Sequence, residues 1–134
     1  MTIRVLKALL SAVLLMTATT ALAQDIKVLK PGIYLANGSP CPASIGSTAE
    51  ATFDGRNLAS HYQVCKTEPT GTPGTYKQSC LEGQGQNWPK HAQIDSNPDR
   101  EVLNIIIETR SKSKLTVNGQ RYKFCEAANV GGRI

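Results

Sequence analysis

Few residues in this chain have chemistry of their own to offer. There are two histidines, His61 and His91, one tryptophan, Trp88, and four cysteines, Cys41, Cys65, Cys80 and Cys125. Histidine is the commonest general base, but it works only within reach of the proton it abstracts. His61 falls at the start of a β-prone run and reads as strand surface. His91 follows Trp88, Pro89 and Lys90 in a polar stretch, and binding residues concentrate on loops. No Gly-x-Ser-x-Gly elbow marks a serine nucleophile. Glu82-Gly83-Gln84-Gly85 lacks the lysine and the following helix of a phosphate loop. The cysteines lack the short paired spacings of a structural zinc site, and two disulfides would leave no thiol as nucleophile. Enzymatic catalysis is the weaker reading, and no cofactor or metal is implied.

Binding is the stronger reading, and two stretches carry it. Asn87-Trp88-Pro89-Lys90-His91 sets a tryptophan beside a histidine. Indole has a large apolar face and a single donor, so it anchors interfaces and stacks on sugars; as core filler it would do neither. The second stretch is basic: Arg110, Lys112, Lys114, Arg121 and Lys123, diluted locally by Glu108 and Glu126 alone. It reads either as a solvated outer face that protects strand edges or as a surface for an acidic partner, meaning an exported protein or an anionic envelope polymer. A nucleic-acid partner does not fit an exported domain with so few aromatic residues. The candidate binding residues are therefore Trp88, His91, Lys114, Arg121, Tyr122 and Lys123.

The elements that must position these residues are strands. Two β-prone runs, Tyr62 to Glu68 and Tyr76 to Leu81, flank a Gly-Pro-Thr turn. Closing that turn around Thr72-Pro73 sets Glu68 opposite Lys77, Val64 opposite Leu81 and Cys65 opposite Cys80. Three sensible cross-strand pairs in one register support the register. Earlier strands are expected at Gly32–Ala36, Ala49–Phe53 and Arg56–Glu68, the last bent near Ala59-Ser60. Asp54-Gly55 and Asn118-Gly119 are hairpin signals, because a type I′ turn needs positive φ at both central positions. Ala92–Ile94 reads as a short strand, and Arg110–Ser113 as a turn. In the apolar strand Glu101–Thr109, Leu103, Ile105 and Ile107 share one face, with Val102 and Ile106 on the other. In the last hairpin Leu115, Val117, Tyr122 and Phe124 share one side, while Lys114, Thr116, Arg121 and Lys123 take the opposite side. No sustained helical period follows residue 24. The fold class is all-β: a small antiparallel meander barrel or sandwich of seven to eight strands with two disulfides.

The first residues read as a leader. Arg4 and Lys7 precede an apolar run from Ala8 to Met16, and Ala21-Leu22-Ala23 suits cleavage before Gln24. The run is shorter than the ~20 residues a membrane span needs, so residues 1–23 are expected to be a cleaved signal peptide. Residues 24–134 are then one domain with no membrane anchor, in the periplasm or outside the cell. The chain carries fifteen basic and ten acidic residues; without Arg4 and Lys7 the net charge is near +3, a balance that favours solubility. An even cysteine count in an exported chain implies two disulfides. The hairpin register gives Cys65–Cys80, and Cys41–Cys125 would then join the first strand to the last; a crossed pairing stays open. Residues 24–30 could pair as an edge strand or stay loose, and residues 126–134 read as a loose tail.

Gly119-x-Arg121-Tyr122, in an exported two-disulfide β chain, resembles a motif of the bacterial periplasmic and membrane-bound inhibitors of C-type lysozyme. The resemblance implies a periplasmic β-barrel that binds rather than catalyses. It makes an inhibitor or immunity-type protein, acting on a hydrolase such as lysozyme, the first function to weigh. A carbohydrate- or polyanion-binding module is the alternative, and a small envelope hydrolase the weaker third.

Overall fold

A computed structural model describes residues 24–41 and 49–129. Residues 1–23 (the expected leader), the small-residue loop Ser44–Thr48 and the tail from residue 130 lie outside the described residues. The strands are β1 (Gly32–Ala36), β2 (Glu50–Phe53), β3 (Leu58–Ser60), β4 (Gln63–Pro69), β5 (Thr75–Glu82), β6 (Glu101–Ser111), β7 (Lys114–Val117) and β8 (Gln120–Phe124), with one short helix, α1 (His91–Ile94), between β5 and β6. They form one eight-stranded antiparallel sheet in the order β3-β2-β1-β8-β7-β6-β5-β4, curled into a nearly closed barrel. The core is Tyr34, Phe53, Ile105, Ile107, Leu115 and Phe124, with Ile26 and Leu29 supplied by the N-terminal segment.

The central hairpin has the expected register: Cys65 faces Cys80, Val64 faces Leu81 and Glu68 faces Lys77. Lys77 Nζ lies 3.3 Å from the Glu68 carboxylate. Both expected disulfides are present, Cys65–Cys80 and Cys41–Cys125. Asn118 and Gly119 both take positive φ, 48° and 83°, as a type I′ turn requires. At the β2–β3 turn the mechanism differs. Gly55 alone is left-handed there, and the Asp54 carboxylate shapes the turn by accepting the amides of Arg56 and Asn57 at 2.8 and 2.5 Å.

Several expectations are corrected. Arg56–Glu68 is two strands, because Tyr62 adopts φ 62° and turns the chain between β3 and β4. Ala92–Ile94 is helical: the Gln93 side chain accepts the Lys90 amide at 2.7 Å, as in a capping box, and Ile94 is buried. β6 runs on through Arg110 to Ser111, so the turn is shorter than expected. Leu103 shares the strand face of Ile105 and Ile107 as expected but is exposed, because the core ends at Ile105. Thr116 is buried on the outer side, where its hydroxyl donates to Glu108 at 2.9 Å. Of residues 24–30, expected either as an edge strand or as loose chain, only Gln24 pairs, in a single antiparallel bridge to Thr109. Ile26–Val28 form a 3-10 turn whose Ile26 enters the core and whose Ile26 amide donates to the Tyr76 hydroxyl at 3.2 Å. Glu126–Asn129, expected to begin a loose tail, form another, and Asn129 Oδ1 accepts the Ile33 amide at 3.0 Å.

Side chains close the gap between the two edge strands. Thr67 Oγ1 on β4 accepts the Leu58 amide at 3.1 Å and donates to the Leu58 carbonyl at 3.3 Å. Asn57 Oδ1 accepts the Thr67 amide at 3.0 Å. One hydroxyl thus satisfies two backbone groups of a buried edge residue. Thr67→Val keeps the shape and strands the buried Leu58 amide, a loss of about 1–3 kcal/mol; urea unfolding measures it, with Thr67→Ser as the control that keeps the hydroxyl.

Candidate functional site

The basic residues are gathered by β7 and β8. Lys114 stands directly opposite Lys123, and Thr116 opposite Arg121. Arg110 comes alongside from the end of β6. These side chains, with Tyr122, line a groove of about 460 Å³. Glu108 holds Arg110 at 3.0 Å, and it also accepts the Thr116 hydroxyl. Among the described residues no carboxylate lies within ion-pair distance of Lys114, Arg121 or Lys123. Like charges directly opposed on neighbouring strands destabilise a sheet, so the Lys114–Lys123 pair is a local cost that folding alone does not explain.

The tryptophan lies elsewhere. Trp88 follows β5 in the glycine-rich loop and is half exposed, so it is not core filler. Its ring lies on Gly83, where a Cβ would come within 2.6 Å of Cε3. One side of Trp88 faces a cleft of about 780 Å³ whose lining includes Glu82, Asp99, Glu101 and the amides of Gln63, Asn87 and Gln93. The other side faces a groove of about 330 Å³ where His91, Asp54, His61 and Tyr62 meet. Both histidines therefore share one groove, which their spacing in sequence does not reveal.

Their geometry is not that of a catalytic pair. His91 Nε2 lies 3.1 Å from the Cys65 carbonyl and 3.8 Å from Asp54 Oδ2, beyond hydrogen-bond distance of the carboxylate. Partial burial opposes ionisation of Asp54. The Asn57 amide and side chain, the Arg56 amide and the nearby His91 outweigh it, and hold the carboxyl below its ordinary pKa. Asp54 is thus an ionised turn-former bound to its own loop. His61 lies against Tyr62, with ring centroids 3.6 Å apart and planes tilted by 53°, and its Nε2 is buried and without a hydrogen-bond partner.

The structure thus brings Lys114, Arg121, Tyr122 and Lys123 together in one groove and Trp88 with His91 in another, and the two surfaces share no lining residue. Sequence reasoning missed Tyr62, Asp54 and Gly83. A glycine preceding the tryptophan by five positions was the one available signal. Among the described residues no group of His, Cys, Asp and Glu could hold a metal ion, and no helix is long and apolar enough to cross a membrane.

Fold and site define a small two-disulfide β-barrel with a cationic groove on one side and a tryptophan cleft on the other. Comparison with protein-family models, curated proteins and solved structures finds no match to this chain. Two disulfides fit a protein that folds in an oxidising compartment.

Proposed function

We propose that this chain is an exported, non-enzymatic binding protein of the cell envelope whose ligand at the β7–β8 groove is anionic. The observation that carries the reading is the Lys114–Lys123 pair, two cations set against each other beside Arg121 with no carboxylate within ion-pair distance among the described residues. An incoming row of carboxylates or phosphates relieves that repulsion on binding. The leader, read as a signal peptide, would deliver the domain to the periplasm or beyond. Gly119, Arg121 and Tyr122, on which the resemblance to the lysozyme inhibitors rests, belong to this hairpin. An inhibitor or immunity-type protein using this groove would hold an acidic exported hydrolase, since a cationic one would meet like charge.

The test separates binding from folding. Lys123→Glu turns a like-charge cross-strand pair into an opposite one, so the fold should gain roughly 0.5 kcal/mol. Binding of polyglutamate or polyphosphate should weaken about tenfold or more and lose most of its salt dependence. Urea unfolding and titration at two ionic strengths read both quantities. Undiminished binding by Lys123→Glu and by Arg121→Ala would remove the groove from consideration.

A further inference from the structure

We propose that the Trp88 face is a second, independent binding site, built for an oligosaccharide that carries no acidic groups. The two cavities flanking Trp88 are one surface, since Trp88 and Gln63 line both and the Cys65–Cys80 disulfide lies beneath. Neither cavity is lined by a lysine or an arginine, and the larger has the size of small-molecule sites, roughly 300–1,000 Å³.

Two aromatic rings stand exposed on this surface, Trp88 at 47 % and Tyr62 at 52 %, and both are held by Gly83. Its missing side chain makes room for the indole, and its amide donates to the Tyr62 carbonyl at 2.8 Å. Tyr62 sits at φ 62°, a conformation that is costly for a bulky residue. Burial of its ring compensates little, because the residue is half exposed and only the His61 ring lies against it. Strain kept at an exposed aromatic residue is the pattern of a functional position.

The chemistry selects the ligand class. One face of a pyranose ring presents C–H bonds, which suit the negative face of an aromatic ring. Its rim presents hydroxyls, which both donate and accept. Side-chain amides do the same, and Gln63, Asn87, Gln93 and Asn97 line the larger cavity among three carboxylates, Gln93 and Asn97 offering their NH2 groups because their oxygens accept the Lys90 and Asp99 amides. A cationic peptide would pair its charges with the carboxylates and its backbone with the amides, and titration with polylysine separates it from a saccharide. An anionic glycan would be repelled by Glu82, Asp99 and Glu101. The ligand is a neutral or amine-bearing oligosaccharide, stacked on Trp88 and Tyr62 with its hydroxyls on the amides and carboxylates.

Trp88 is the sole tryptophan, so intrinsic fluorescence reports this site alone. The N-acetylglucosamine trisaccharide or its deacetylated form should shift the emission saturably, and an oligogalacturonate should not. Tyr62→Asn suits the left-handed backbone, so it should keep or raise the melting temperature while weakening saccharide binding at least tenfold by calorimetry. Gly83 is a positioning residue. Gly83→Ala should alter the emission of the free protein, by displacing the indole, and weaken binding together with it. Lys123→Glu should leave saccharide binding unchanged, so the fate of the anion groove and of this site are read separately. The proposal is overturned if neither saccharide binds, if oligogalacturonate binds as tightly, if Tyr62→Asn retains full affinity, or if polylysine alone shifts the emission.

Discussion

Replacing Cys41 and Cys125 together by alanine is expected to cost about 4–5 kcal/mol, against about 3 kcal/mol for removing Cys65–Cys80. The first bridge spans 84 residues and the second 15, so the first removes more freedom from the unfolded chain. The structure widens the difference. Cys65–Cys80 joins strands that are already held by six other register pairs and the Lys77–Glu68 ion pair. Cys41–Cys125 joins the segment after β1 to the end of β8, next to the Glu126–Asn129 turn that caps Ile33. A domain of this size usually has about 5–15 kcal/mol in total, so this loss removes between about a third and nearly all of it. Urea unfolding of the two paired alanine variants decides it, and an equal or reversed order of losses would contradict the chain-entropy argument here.

The parts of the fold legible in the sequence were those set by local chemistry. Asn118-Gly119 needs positive φ, and a charge pair, an apolar pair and a cysteine pair fixed the β4–β5 register by agreeing with one another. The misread parts were decided by partners far along the chain. Ile26 looks like any apolar residue in a polar lead until Tyr76 offers its hydroxyl and the barrel end needs filling. Ala92–Ile94 is too short for periodicity to separate helix from strand. Its state was settled by the Gln93 side chain turning back to Lys90. The break after Ser60 falls beside the bend expected near Ala59-Ser60, but nothing marks Tyr62 as its pivot, since tyrosine does not favour the left-handed region.

The site divides in the same way. The basic hairpin was legible because alternation alone puts Lys114, Arg121 and Lys123 on one side. That Lys114, Arg121 and Lys123 lack a carboxylate partner among the described residues was not, since it depends on Glu108 being committed to Arg110 and Thr116. The tryptophan was legible as a candidate, but its surroundings were not. They come from β2, β4, β5, β6 and the loop that holds it, and only barrel closure brings Asp54 and His61 to His91.

Tyr34→Ala should destabilise the barrel by about 3–5 kcal/mol, and Tyr34→Phe by about 1–2 kcal/mol. Tyr34 is fully buried, and its ring meets Phe124 edge-on at 5.3 Å. Its hydroxyl proton is shared between the carbonyls of Lys30, at 2.6 Å, and Lys112, at 3.1 Å. The ring therefore fills the core while the hydroxyl ties the N-terminal plug to the β6–β7 turn. Phenylalanine keeps the ring and leaves the Lys30 carbonyl without its donor; the Lys112 carbonyl still accepts the Lys30 amide at 2.8 Å. Alanine removes both contributions and opens a cavity. Burial also raises the phenol pKa from 10.0 to about 12, with the Lys30 carbonyl contact pulling the other way. Between those values the unfolded chain loses the proton and the folded one keeps it, so stability falls as pH rises from 10 towards 12. Tyr34→Phe should flatten that alkaline fall while lowering stability at neutral pH. Urea midpoints for both variants at pH 7 and pH 11 test the two parts separately, and an unchanged alkaline slope in Tyr34→Phe would assign the fall to another group.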